Sequence, residues 1–286
     1  MSLKLMYVTN RQDVALIAQS VGVDRIFIDM EYIGKDLRQG GMDTLQQKYT
    51  CDDIKNVKEV LTTTECIARC NPIHDATKDY CSSEEEIEGI IKSGADLIML
   101  PYFKTTNEVE RFMKAVDGRV RTMLLVETPE AAENIEEIIS VGGIDEIHVG
   151  INDLCLGYKK HFMFELLADG TVEKLCNIFK ANGMTYGFGG ITSPGQGLLP
   201  AERVIAEHYR LGSTCAILSR GFCKVEQTNS IEEVKEIFTN GLRAIRKCED
   251  DCRSGLVDFE SNRIETARII SEIVEIIKEK KNGGDK

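Results

Sequence analysis

The sequence predicts a closed (β/α)8 barrel (TIM barrel), an α/β fold, with an additional C-terminal helix. Three observations carry that expectation. Eight short apolar runs occur along the 286 residues, and a helical pattern follows each. The runs are rich in Ile, Val, Leu and Met with little strict polar alternation, as parallel strands buried on both faces read. Eight β-α repeats in about 250 residues plus a tail are what a closed barrel needs. An open doubly wound sheet shares the alternation, but it would usually show a Gly-rich turn after its first strand. Here the first run leads into Thr9-Asn10-Arg11-Gln12, without glycine.

In order, strands are expected at Leu3 to Thr9, Arg25 to Glu31, Glu65 to Asn71, Asp96 to Tyr102, Arg121 to Glu127, Glu146 to Asp153, Thr185 to Ile191 and Cys215 to Ser219. Ser82 or Ser83 can cap the helix that begins Glu84-Glu85-Glu86-Ile87, with acids where the helix dipole favours them. Thr128-Pro129-Glu130 offers an N-cap and then Pro at the first helical position. Ser230-Ile231-Glu232-Glu233 has capping-box spacing. Ser93-Gly94, Asp117-Gly118, Gly142-Gly143 and Asn182-Gly183 sit where helices should stop. Gly34 to Thr50 is long and polar, a candidate lid. Ser193 to Gly197 reads as an active-face loop, and Glu202 to Gly212 as an ordinary surface helix. No linker divides the chain, so residues 1–286 are expected to form a single barrel domain, with 256–286 a helical extension and frayed tail. The extension's stripe of Ile264, Ala267, Ile270, Ile273, Ile276 and Ile277 predicts packing on the barrel or on a neighbouring subunit.

Composition narrows the function. Apolar residues make up 42% and charged residues 29%, so a substantial core can be buried. No apolar run approaches ~20 residues, so no membrane span is expected. The N-terminus turns polar too quickly for a signal peptide, and a cytoplasmic location is the default expectation. The net charge is −12 and no segment supplies a basic stripe, which argues against nucleic acid. The ten cysteines are scattered and form no Cys-x-x-Cys; Cys248 and Cys252 lack a second pair at zinc-finger spacing. Structural thiols in a reducing compartment are expected.

In a barrel, chemistry sits at the C-terminal ends of the strands. That rule selects Glu31, Arg69, Tyr102, Glu127, Asp153 and Arg220. Glu127 and Asp153 close strands five and six, and neighbouring strands lie ~4.8 Å apart. Two such carboxylates can share one Mg²⁺-like ion, with water and substrate oxygens completing the shell. Mn²⁺ or Co²⁺ could substitute. The same pattern also fits two acids that merely cap the following helices. Arg69 lies in the apolar run Cys66-Ile67-Ala68-Arg69-Cys70, where an unpaired cation is costly. Its partner is either a substrate carboxylate or enolate oxygen, or a rim acid such as Glu31 or Glu65. The glycines of Tyr186 to Ile191 and Ser219 to Phe222 fit either a bound phosphate or second carboxylate, or tight packing of the turns.

Five segments follow one another in a telling order: Phe27-Ile28-Asp29-Met30-Glu31-Tyr32, the Arg69 strand, Gly94 to Pro101, Val126-Glu127-Thr128 and Gly150-Ile151-Asn152-Asp153-Leu154. Over residues 25–155 the chain resembles the HpcH/HpaI aldolase and citrate lyase β-subunit superfamily of metal-dependent barrels. The resemblance implies a carbon–carbon lyase of the aldehyde-lyase type that acts on a 2-oxo acid, with pyruvate or its enolate as product or intermediate. It implies Glu127 and Asp153 as ligands of Mg²⁺ (or Mn²⁺ or Co²⁺), Arg69 as the substrate arginine, and Arg69, Asn152 and Asp153 against the substrate. It also favours a homo-oligomer. One departure stands out. The pyruvate aldolases of the family carry Asp-x-Glu-His where this chain reads Asp29-Met30-Glu31-Tyr32. Proton transfer would then fall to Tyr32, a poor base with an ordinary pKa of ~10, or to a water held by Asp29. His74, in the loop after the Arg69 strand, could reach the same rim. The alternatives are a citrate-lyase-like enzyme acting on an acyl-CoA, and a degenerate barrel that binds a 2-oxo acid or sugar acid without turnover.

Overall fold

The computed structural model describes residues 2–35 and 49–283. Eight parallel strands, β1 (Lys4–Val8), β2 (Arg25–Asp29), β3 (Glu65–Arg69), β4 (Leu97–Leu100), β5 (Arg121–Val126), β6 (Glu146–Val149), β7 (Thr185–Ile191) and β8 (Cys215–Leu218), close into one barrel in chain order. The seam is β8 against β1, with Lys4 opposite Cys215. Around it lie α1 (Gln12–Ser20), α2 (Cys51–Val60), α3 (Ser83–Lys92), α4 (Thr106–Val116), α5 (Pro129–Glu133), α6 (Ile135–Ser140), α7 (Ile151–Gly157), α8 (Glu165–Ala168), α9 (Thr171–Ala181), α10 (Ala201–Leu211), α11 (Ile231–Arg253) and α12 (Phe259–Gly283). The expected caps form: the hydroxyls of Ser82, Thr128 and Ser230 accept from Glu85, Ala131 and Glu233 N–H.

Strand side chains alternate between two cores. One face packs on the helices. The other fills the barrel with Met6, Phe27, Ile67, Leu97, Met99, Met123, Leu125 and Cys215. Below this apolar layer, at the N-terminal strand ends, Arg25 donates to Glu146 at 2.8 and 2.5 Å and to Glu65 at 2.9 Å. Arg121 also donates to Glu65, at 2.6 Å. Above it the same two strands carry Asp29 and Arg69, which are register partners as Arg25 and Glu65 are. Gly187 is required by this packing, because a Cβ there would lie 2.2 Å from the Cys215 carbonyl oxygen.

The structure corrects several expectations. Strand six does not run through Asp153. It stops at Val149, and Gly150 turns the chain into α7, so Asp153 sits in the first turn of a helix. Strand two likewise ends at Asp29, before Glu31. The helix α10 is not a surface helix, because α12 covers it; Glu207 and His208 are buried, and Asn262 donates to Glu207 at 2.9 Å. That docking also rotates α12 from its apolar stripe. Asn262, Thr266, Ile270, Ile273 and Val274 are buried, while Ile264 and Ile276 stay exposed. Residues 36–48 of the candidate lid and 284–286 of the tail lie outside the described residues, whereas Asn282 and Gly283 belong to α12. Among the described residues no helix is long and apolar enough to cross a membrane. All ten cysteines are free thiols, and burial pushes those of Cys66 and Cys215 up to about 12.

Candidate active site

Glu127 follows the last residue of β5 and is almost fully buried. Three local features hold it. Thr128 caps α5 and donates its hydroxyl to the Phe103 carbonyl at 2.7 Å. The Tyr102 N–H donates to Glu127 Oε1 at 3.0 Å. On the other side a Cβ at Gly150 would meet Glu127 Cβ and Oε2 at 2.8 Å, so only glycine leaves the carboxylate room. Tyr102 is itself unusual, since its φ of 50° places a bulky side chain in the left-handed region. Asp153 is buried in the first turn of α7. Glu127 and Asp153 line one cavity of about 180 Å³, with Tyr102, Pro129, Leu156 and Gly157 among its walls. Asn152 is exposed and is not among those walls.

A larger cavity, about 510 Å³, opens at the opposite end of the barrel beside Asp96, Arg121 and Asp145. Its polar groups are already engaged. Lys58 donates to Asp96 at 2.8 Å, Arg121 to Glu65, and Thr122 N–H to Asp145 at 2.8 Å. The smaller cavity, at the strand ends where barrels carry chemistry, is the candidate site.

Beside it the Asp29 and Arg69 side chains form a two-pronged ion pair, Nε to Oδ1 at 2.8 Å and Nη2 to Oδ2 at 2.7 Å. Arg69 Nη2 also lies 3.2 Å from Glu31 Oε2. Lys35 reaches back to Asp29 at 2.9 Å and lies 3.8 Å from Glu31. Burial works against the Arg69 charge, but the carboxylates of Asp29, Glu31 and Glu127 outweigh it. Burial also pushes the Asp29 carboxyl up, and Arg69 and Lys35 together hold it well below the usual range. Both alternatives for Arg69 thus keep their place: rim acids do pair with it, and Nη1 is not among the nitrogens bonded to Asp29.

Tyr32 and His74 lie near the segment 80–86 that leads into α3. Asn71 accepts from the Tyr32 and Ile33 N–H groups at 2.9 Å each and donates to Glu86, which ties the chain after β2 to α3. Burial, with Glu86, Cys81 and Tyr80 nearby, pushes the Tyr32 phenol above its ordinary value. The His74 ring sits inside its own loop, with Nδ1 2.7 Å from the Pro72 carbonyl and 3.1 Å from Ser83 Oγ, and Nε2 2.9 Å from the Cys81 carbonyl. His148 and His208 are buried and bonded within the fold, and burial lowers them to about 4 and about 3.

The donor set suits a hard divalent cation. Among the described residues no three His, Cys, Asp or Glu side chains converge. Protein donors would therefore be the two carboxylates, and water and substrate oxygens would complete the shell, as Mg²⁺ accepts. Asp29 and Glu31 face Arg69 and Lys35, while Glu127 and Asp153 line the cavity.

Sequence reasoning missed Lys35 and Gly150. Lys35 lies six residues past Asp29, beyond any strand-end rule, and its only local signal is the four-residue spacing from Glu31. Gly150 falls inside the strand that the sequence predicts from Glu146 to Asp153, and nothing in the pattern shows that it gives Glu127 room.

A family model described as HpcH/HpaI aldolase/citrate lyase matches residues 4–186. Among solved structures, an HpcH/HpaI aldolase/citrate lyase family protein of Burkholderia cenocepacia J2315 superposes with a TM-score of 0.60 at 13% identity, covering 88% of this chain and 95% of that one. An HpcH/HpaI aldolase of Desulfitobacterium hafniense DCB-2 gives 0.56 at 14% identity, covering 76% and 86%. At such identities the two structures show likeness of fold alone. No curated protein matches the sequence. The family model spans more than half of the chain, and the chain belongs to the HpcH/HpaI aldolase/citrate lyase family.

Proposed function

We propose that this protein is a divalent-metal-dependent carbon–carbon lyase that cleaves a 2-oxo acid, with pyruvate or its enolate as product or intermediate. The observation that carries the reading is the cavity shared by Glu127 and Asp153, next to an Arg69 that senses Glu127. Mg²⁺, Mn²⁺ or Co²⁺ held by Glu127 and Asp153 would supply Lewis-acid polarisation of the 2-oxo group. Every other role falls to side chains. Asp29 takes Nε and Nη2 of Arg69, so Nη1 is the nitrogen directed to a substrate carboxylate or enolate oxygen. Asp29 stays ionised at neutral pH because two cations hold it so, which makes it an anchor and a holder of water rather than a base. Tyr32 keeps its proton at neutral pH and is read as a donor. In cleavage the substrate hydroxyl gives up its proton as the C–C bond breaks, and the enolate carbon takes one up. A water on Asp29 is the carrier this arrangement supports.

Purified protein should release pyruvate from one or more 4-hydroxy-2-oxo acids, or decarboxylate oxaloacetate, when given Mg²⁺ or Mn²⁺, and EDTA should abolish the rate. Glu127→Ala and Asp153→Ala should each weaken Mn²⁺ binding; unchanged affinity in both would refute the assignment. Pyruvate and metal binding without turnover of any substrate would favour a ligand-binding barrel instead. We further read the protein as a homo-oligomer, an idea supported by the exposed Leu256, Ile264 and Ile276.

A further inference from the structure

Tyr102 holds a conformation that its residue type disfavours. Its φ of 50° suits glycine, yet the chain places an aromatic ring there. The surroundings keep it in place. Its N–H is spent on Glu127 Oε1 at 3.0 Å. The Lys104 ammonium lies 5.8 Å from the ring centroid and is itself held by Glu130 at 3.0 Å. The result is that Tyr102 becomes one wall of the cavity that Glu127 and Asp153 line. Pro129, Leu156 and Gly157 line the same cavity, and a Cβ at Gly157 would lie 2.6 Å from Pro129 Cδ.

The cavity of about 180 Å³ is partly open, with room on the order of six waters inside. A three-carbon 2-oxo acid fits within it, and a longer or branched chain that leaves it on the Tyr102 side has to pass that residue. We propose that Tyr102 is a specificity-determining residue, which limits the group attached to the 2-oxo acid head to a short one. This inference rests on the reading of Glu127 and Asp153 as the groups that bring the 2-oxo acid head to the cavity.

The test measures binding, not turnover. Mn²⁺-loaded protein is titrated calorimetrically with pyruvate, 2-oxobutanoate, 2-oxopentanoate and 4-methyl-2-oxopentanoate. Affinity in the wild type should fall at least about tenfold between the first and last acids. Tyr102→Phe keeps the ring and should keep the gradient. Tyr102→Gly suits the left-handed backbone and retains the N–H to Glu127, so it should fold, bind pyruvate and lose the gradient. A flat series in the wild type, or a gradient that survives in Tyr102→Gly, overturns the size limit while the lyase reading stands. Failure of the wild type to bind any of the four acids overturns both.

Discussion

The strand pair β2–β3 carries a carboxylate and an arginine at each end, in opposite order. At the lower end Arg25 faces Glu65, and at the upper end Asp29 faces Arg69. Both ends pair a carboxylate with an arginine, Glu65 below and Asp29 above, but their surroundings differ. Arg25 is wholly enclosed and is spent on Glu65 and Glu146, while Glu65 and Arg121, each 37% exposed, are bonded to one another. Arg69 and Asp29 keep 15% and 19% of their side-chain surface exposed, beside the cavity that Glu127 and Asp153 line. An arginine that is wholly enclosed holds the barrel together, and one that keeps some exposure at the C-terminal strand ends can meet a ligand. The enclosure of the arginine and the end of the barrel on which it lies separate the structural pair from the candidate catalytic one.

The sharpest way to break this comparison is at the lower end. Arg25→Met takes from the buried Glu146 its two-pronged partner and leaves Glu65 only Arg121, which should cost about 3–5 kcal/mol in urea unfolding. Mn²⁺ affinity of the folded protein should not change; a loss of metal binding with intact stability would erase the distinction. Arg69→Met is the matching change above. It should lower kcat/KM about 100- to 1,000-fold, as loss of one oxyanion donor does. It should also cost less stability than Arg25→Met, since Lys35 still compensates Asp29. Gly150→Ala sharpens the picture more finely. The added methyl meets Glu127, so about 1–3 kcal/mol of stability should go, with weaker Mn²⁺ binding, and an unchanged Mn²⁺ affinity would mean that Glu127 can move aside.

Acid stability is affected as well, and both kinds of group lower it as pH falls, over different ranges. The Asp29 carboxyl is depressed in the folded state. Its contribution is present above its unfolded pKa of about 3.9 and is lost as pH falls below that. His148 and His208 are lowered to about 4 and about 3, so the unfolded chain takes up protons first. Their burial makes the protein less stable as pH falls from about 6.5 toward 4. Unfolding free energies measured against pH should therefore decline between pH 6.5 and 4 equally in wild type and Asp29→Asn. The two curves should converge only in stronger acid; convergence above pH 5 would mean that Asp29 is not held by its cations.

Much of the site was legible before the fold. Glu127 and Arg69 announce themselves because an acid or an arginine closing an apolar run has few places to go but a strand end. Asp153 was legible as an acid near the end of strand six but not as a helical one, since Gly150-Ile151-Asn152 continues the apolar pattern while the backbone has already turned. Asn152 shows the limit of motif reading, because adjacency in sequence to Asp153 puts it on the exposed side of the same turn. The α12 stripe held in its middle, at Ile270 and Ile273, and gave way at Ile264 and Ile276 for a related reason. Apolar periodicity identifies a face that can be buried, but the partner helix α10 offers Glu207, and Asn262 docks there instead.

The sequence by itself determined the number and order of the strands, the class of fold and the identity of the acids at the C-terminal strand ends. These follow from local signals: alternation, capping and the composition of runs a few residues long. Only the tertiary structure decided that Lys35 shares Asp29 with Arg69, that Gly150 makes room for Glu127, that Tyr102 walls the cavity and that α10 is covered. Each of these joins atoms brought together by barrel closure or helix docking, where contact depends on strand register and on Cβ-scale space. No local pattern carries that information, because the same residues at the same spacing would satisfy capping and burial in many registers, and packing selects one.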